Sequence, residues 1–369
     1  MSYLILAINP GSTSTKIGLF RDYEPMFMDN IEHDRDELAK FPDLPSQKQF
    51  RLQYVLDKLK EHNISINELS AVVGRGGLMP VLETGGYVVN DVMKSWISSE
   101  KGGSHASNLG SLMADLVATQ AACPAFIYDS VAAGRLPEVA TVTGFPEIKR
   151  KSLSHVLNSR AQSILYAEKK GKKFEDLNLI IAHLGGGISL SVYEKGVLKD
   201  SYGDDNGSFS PERAGAAPLM SFVNEFFENG YSKADVKKKI RGMGGFMAHM
   251  GTTDFRFIES EALGDNEQAK LLVSAMGYNI AKTVGSLATV VKGKVDAIII
   301  TGGIARSKLL TDIIQEKVDF IAPVEIAPGE YELEALAAGG LRIIKGEEKV
   351  RKLIDITPDG FGLSEFAQI

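Results

Sequence analysis

The chain has 369 residues, 44% hydrophobic and 24% charged, enough for two ordinary domains with large cores and unlike a disordered polymer. Its formal net charge of −6, from 41 basic and 47 acidic residues, argues against a nucleic-acid groove as the main surface, although local arginines could still bind a small anion. Cys123 is the single cysteine, so no intrachain disulfide can form, and its apolar flanks make it a small core residue. No run approaches the ~20 apolar residues of a membrane span, and Met1-Ser2-Tyr3 lacks a basic leader. The expected compartment is the cytoplasm, with neither membrane nor nucleic acid as partner.

In chain order, Leu4–Ile8 reads as a buried strand and Lys16–Phe20 as a second, alternating one. The turn between them, Asn9-Pro10-Gly11-Ser12-Thr13-Ser14-Thr15-Lys16, combines a glycine, four hydroxyls and a lysine. That donor set suits a phosphate group, and an ordinary polar hairpin is the alternative. Phe50, Tyr54, Val55 and Leu59 recur at helical spacing, as do Leu109, Leu112, Met113, Leu116 and Val117. Between these helices a strand ends in Gly74-Arg75-Gly76-Gly77, where a guanidinium flanked by glycines is open to an anion or to an internal ion pair. Asp129 closes the run Ala125–Tyr128, as a strand-end site residue or as a helix N-cap.

In the second half, Ala182-His183-Leu184 leads into Gly185, Gly186 and Gly187. Three glycines cost backbone entropy and make sense where another group approaches the main chain, or at a tight sheet corner. A loop-rich stretch, 201–261, carries Arg213 among small residues. Leu271, Leu272, Ala275, Ile280 and Val284 mark a long helix over 266–292, and Gly302-Gly303-Ile304 ends a third buried strand and opens a helix. A last helix, 331–345, is expected to pack back on the first lobe, and two strand-like pieces follow around Pro358-Asp359-Gly360. His33 and His62 sit in charged runs and read as solvated; His105, His155, His183 and His249 sit beside small or apolar residues and read as core.

Two motif pairs reveal a duplication. Leu4–Ser14 aligns without gaps on Leu179–Ser189, and Ala71–Gly77 aligns on Ala297–Gly303, in the same order. Strands alternating with helices give an α/β architecture. The expected division is 1–150 for the N-terminal lobe, 151–330 for a nucleotide-binding lobe, and 346–369 as a tail. No G-x-x-x-x-G-K-[ST] occurs, nor G-x-G-x-x-G after the first strand, nor HExxH or paired CxxC.

The ordered set Asn9–Lys16, Gly74-Arg75, Asp129, Ser154-His155, His183–Gly187, Arg213, Asp254-Phe255-Arg256 and Gly302-Gly303-Ile304 resembles the acetate and butyrate kinases. These belong to the sugar kinase, heat-shock-protein-70 and actin superfamily, and the match spans all but the last ~20 residues. The resemblance implies two duplicated actin-like (ribonuclease H-like) lobes with a nucleotide cleft between them, closure on substrate, at least a homodimer, and ATP/ADP with Mg²⁺ as cofactors. It places Ser12, Ser14, Lys16, His183 and Gly185–Gly187 on the phosphates, Asp254, Arg256, Gly303 and Ile304 on the adenosine, and Asn9 with Glu332 on the metal. Arg75, Asp129, His155 and Arg213 would surround the transferred phosphoryl group. Glu330 and Glu334 are register alternatives for Glu332.

Two departures stand out. Lys151 occupies a place where acetate kinases carry a histidine, and Gly76-Gly77 replaces a pair of valines. Missing valine side chains would leave room for a longer acyl chain, which points to butyrate, and to branched acids with it, over acetate; an acetate/propionate or branched-chain acid kinase is the alternative. Each buried CH₂ is worth only ~0.8 kcal/mol, so that selectivity would be blurred. A sugar kinase, or a nucleotide-driven binding switch, is the more remote reading of the same scaffold.

Overall fold

Continuous apolar runs make the central strands of two sheets, because a strand covered on both faces cannot alternate with polar residues. The computed structural model describes residues 2–99, 103, 105–203 and 205–369. The chain divides into one unit of Met1–Arg135 with Tyr331–Ile369, and a second of Leu136–Glu330.

The first unit contains β1 (Leu4–Pro10), β2 (Ser14–Arg21), β3 (Glu24–Glu32), β4 (Ala71–Arg75), β5 (Gly86–Val88) and β6 (Ala125–Tyr128). The second contains β7 (Asn178–Leu184), β8 (Ile188–Glu194), β9 (Val197–Tyr202), β10 (Ala297–Gly302) and β11 (Val324–Pro328). The hairpin β12 (Arg351–Ile356) and β13 (Gly362–Phe366) returns to the first. The sheet orders are β13-β12-β5-β6-β4-β1-β2-β3 and β11-β10-β7-β8-β9. Three antiparallel strands followed by parallel β4 and β6 in one unit match three antiparallel strands followed by parallel β10 and β11 in the other. The duplication seen in the motif pairs is therefore a duplication of sheet topology.

In the first sheet, Leu4, Leu6 and Ile8 share a core cluster with Leu109, Met113 and Val117 of the Asn108–Ala121 helix. The helix Glu332–Ile344 packs against β1 and β4. It comes close because it has no side chain at Gly339 and Gly340, where a Cβ would stand 2.6 Å from the Tyr128 ring and 2.4 Å from Val73. In the second unit, Ile180, Ala182 and Leu184 pack with Leu272, Met276 and Ile280 of the helix Glu267–Val290, while Leu179 and Ile181 pack with Phe174 and Leu198. Leu271 of that helix is exposed.

Several details depart from the sequence reading. Residues 136–150 belong to the second unit: Leu136 joins its core and Arg150 donates to Asp200 Oδ1 at 2.8 Å. The tail is an edge hairpin, with β12 parallel to β5. The loop-rich 201–261 stretch also carries four short helices, Leu219–Val223, Lys233–Ile240, Gly245–Met250 and Phe255–Leu263. Cys123 is only half-buried, and burial pushes its thiol up to about 11. Among the described residues no helix is long and apolar enough to cross a membrane.

Candidate active site

In the first unit, the turn leaving β1 and the ends of β4 and of the Glu332–Ile344 helix meet around a cavity of about 600 Å³. Asn9, Ser12, Ser14, Lys16, Arg75 and Glu332 line it, together with Leu44 and His105. Asn9 Nδ2 donates to Glu332 Oε2 at 2.6 Å, and Arg75 Nη1 donates to Glu332 Oε1 and lies 3.5 Å from Asn9 Oδ1. This settles which glutamate turns toward Asn9: it is Glu332, while Glu330 lies in the second unit beside His183. Among the described residues Arg75 is engaged through Nη1. Lys16 is exposed and forms no ion pair among the described residues.

His105 was read as a core residue, yet it lies in this cavity and is solvent-exposed. Protein nevertheless surrounds it closely enough that desolvation, and then the Arg75 charge, lower its pKa. His33, read as solvated, is buried: its Nε2 lies 2.8 Å from Thr15 Oγ1, and burial followed by the Arg51 charge lowers its pKa to about 4.

Asp129 and the glycine pair do not line the cavity. Asp129 is buried at φ +41°, accepts from Gly85 N–H at 2.7 Å, and starts no helix, which removes the N-cap reading. The space beside Gly76 and Gly77 is filled. A Cβ on Gly76 would lie 2.5 Å from Ser130 Cβ, and one on Gly77 would lie 1.9 Å from Asn108 Oδ1. Valines are missing there because neighbouring chain occupies their volume, so the glycines do not open an acyl pocket.

In the second unit, His155 and His183 stack with ring centroids 3.9 Å apart and 12° between planes. His155 Nδ1 lies 2.8 Å from Ser189 Oγ, and Asn158 Nδ2 lies 2.9 Å from His183 Nδ1. The other ring nitrogen, His183 Nε2, lies 3.5 Å from Glu330 Oε1. In the turn Gly185–Gly187, Gly185 is buried and donates its N–H to Gly187 O at 3.0 Å, and Gly186 is exposed; a Cβ on Gly185 would lie 3.3 Å from His183 Nε2 and one on Gly186 3.3 Å from Glu212. Arg213 pairs with that Glu212 at 2.8 Å.

Asp254 caps the helix Phe255–Leu263 and pairs with Arg256, whose hydrogen bonds hold the Asp254 carboxyl below its usual pKa. Gly303 and Ile304 open a short 3₁₀ turn, with open space where a Gly303 side chain would stand. Lys151 is exposed and makes no ion pair among the described residues.

Mg²⁺ bound with a nucleotide needs one or two protein carboxylates besides phosphate oxygens and water. Glu332 and Asn9, side by side in the cavity wall, fit that donor set.

Two sheets of one topology, each turning through a glycine-bearing hairpin, define an actin-like fold. The chain belongs to the acetokinase family: the family profile matches residues 154–329, and full-length relatives extend the match to both units. Butyrate kinase 1 and butyrate kinase 2 of Clostridium acetobutylicum are 43% and 42% identical to it, each over 95% of this chain and 99% of their own length. Among solved structures, Porphyromonas gingivalis acetate kinase is similar with a TM-score of 0.75 at 18% identity, covering 93% of this chain and 100% of that one. Entamoeba histolytica acetate kinase gives 0.72 at 16%, covering 91% and 98%. At these identities the solved structures speak for the fold alone. Kinases of this family use ATP.

Proposed function

We propose that this chain transfers the γ-phosphate of ATP to the carboxylate of butyrate, giving butyryl phosphate and ADP. The observation that carries the choice of acid is the 43% identity to a butyrate kinase across 95% of the chain. One carboxylate oxygen forms the new bond to Pγ while the bond from Pγ to the β,γ-bridging oxygen breaks, and ADP keeps the electron pair. A carboxylate is already a nucleophile and no proton has to move, so the demands are positioning and charge stabilisation.

The residues divide that work. Lys16, with the hydroxyls of Ser12 and Ser14, binds phosphate oxygens in the first-unit cavity. Arg75, anchored through one nitrogen by Glu332, offsets the repulsion between two anions and the charge spread over the phosphoryl oxygens. Asp129 fixes the loop at Gly85 and acts on orientation only. In the second unit, His183 and His155 present their rings, Arg213 a further guanidinium, and the exposed Gly186 its main chain to the nucleotide, while Gly185 N–H closes the turn on Gly187 O. Asp254, Arg256, Gly303 and Ile304 hold the adenosine. Glu332 with Asn9 would hold Mg²⁺, which supplies neutralising charge on the terminal phosphates when bound.

Exposed Leu219, Met220 and Phe227 in one short segment support a homodimer or larger assembly. Light scattering on the eluting protein reads this, and a monomer would overturn it.

The function test is ATP with a panel of carboxylic acids, trapping acyl phosphate with hydroxylamine. Butyrate should give the highest kcat/KM. Acetate equal to butyrate would sink the choice of acid, and ATP hydrolysis without dependence on any acid would sink the phosphotransferase reading altogether.

A further inference from the structure

Arg51 lies in the helix Lys48–Glu61 with 0% exposure, one of the largest fully buried side chains among the described residues. Its guanidinium pairs with no carboxylate among the described residues. Nη1 donates to Gly11 O at 2.8 Å and Ser14 O at 2.9 Å, Nη2 to Ser12 O at 2.8 Å, and Gln47 Oε1 accepts from Nε at 3.1 Å and Nη2 at 2.9 Å. Thr13 O, the one remaining carbonyl of the turn, accepts from His33 N–H at 2.8 Å.

A trans peptide group is planar, with C=O and the following N–H pointing in opposite directions. Drawing the carbonyls of Gly11 and Ser12 onto the buried guanidinium therefore turns the N–H groups of Ser12 and Thr13 the other way. Neither N–H has a partner among the described residues, and Ser12 lines the cavity. A buried cation is costly unless paired, and here the carbonyls supply only dipoles. Burial alone lowers its pKa to about 10, which leaves it charged at neutral pH. The missing opposite charge can be supplied by an anion seated on the far side of the turn.

We propose that Arg51 is a positioning residue for the phosphate chain of the nucleotide, holding the Gly11–Ser14 turn so that two free amides and one buried positive charge face it. This rests on the reading of that turn as a phosphate site. The charge reaches the ligand through polarised peptide groups rather than by contact, so Arg51 acts without touching substrate.

The test compares Arg51→Lys and Arg51→Met with Lys16→Ala in the intact enzyme, measuring kcat, the KM for ATP and for butyrate, and thermal midpoints. Misplacement by about an ångström costs up to about 10²-fold. Arg51→Met is expected to lose roughly that much in kcat/KM for ATP, with the KM for butyrate within about twofold, and Arg51→Lys to recover part of it by restoring the charge. A lower thermal midpoint with unchanged kinetics in both Arg51 variants would overturn the proposal and leave Arg51 structural. Unchanged ATP kinetics in Lys16→Ala would instead remove the phosphate reading of the turn. Should neither Arg51 variant fold, the wild-type protein carries the test: a non-hydrolysable ATP analogue should shift the amide resonances of Ser12 and Thr13, and unmoved resonances would overturn it.

Discussion

The duplicated hairpins share a topology and differ in what their tips present. The β1–β2 turn has one glycine, four hydroxyls and a lysine, and its carbonyls are gripped from behind by a buried guanidinium. The β7–β8 turn has three glycines, and its Gly186 carbonyl is held by the neutral Ser210 hydroxyl at 2.6 Å. The first presents side chains and a charge; the second presents bare main chain with Glu212 and Glu330 alongside. A sheet repeated by duplication thus keeps its hairpin, while the chemistry at its tip is free to diverge, because tip residues carry little of the core.

Substitutions can break or sharpen that contrast. The largest effect is expected where side-chain charge does the work. Arg75→Ala should lower kcat by roughly 10²–10³-fold with ATP binding largely kept, and a loss below tenfold would remove the first-unit clamp. Next come the glycines of the second unit. Gly302 sits at φ +91°, and its Cβ would meet Leu184 O at 2.3 Å, so Gly302→Ala should cost about 1–3 kcal/mol of stability in urea unfolding. Gly186→Ala meets only the movable end of Glu212, so it should leave stability alone and raise the KM for ATP by about tenfold, roughly one hydrogen bond's worth. An unchanged KM would mean the bare turn is a sheet corner and nothing more.

The smallest effect concerns His33. Its pKa falls from 6.5 in the unfolded chain to about 4, so the unfolded state binds more protons in that window. The facing charged groups are Arg51, which lowers the pKa, and Glu32, which raises it. Stability is full above pH 6.5 and declines as pH falls toward 4, by at most about 3 kcal/mol. His33→Gln should flatten that slope, and an unaltered slope would show that His33 does not contribute.

Much of the scaffold was legible because duplication leaves a trace in sequence: the two aligned motif pairs fall on β1 with β7 and on β4 with β10. That Asn9–Lys16 lines a cavity could be anticipated because hydroxyls and a lysine cluster within a single turn. Arg51 was not, since an arginine among Lys48, Lys58 and Lys60 reads like the solvated side of a helix, and only packing shows that it points inward. His33 failed for the same reason. His105 could have been found only by knowing that its loop folds toward Arg75. Gly76 and Gly77 misled because an absent side chain was taken for empty space, whereas Ser130 and Asn108 fill it from elsewhere in the chain. The boundary near Arg150 missed Leu136 because a core contact with a distant strand leaves no local mark.

The return of the Glu332–Ile344 helix to the first unit sets an order of assembly. The first 135 residues leave the ribosome with their sheet missing the helix that packs on Ile5 and Val73, and the whole second unit is synthesised before that helix exists. Glu332, which anchors Arg75 and Asn9, is thus among the last site residues made. A nascent chain can therefore complete its second unit while its first still lacks the carboxylate that arranges the cavity. Ribosome-stalled chains ending before Tyr331 should resist proteolysis in the second unit and remain cleavable in the first.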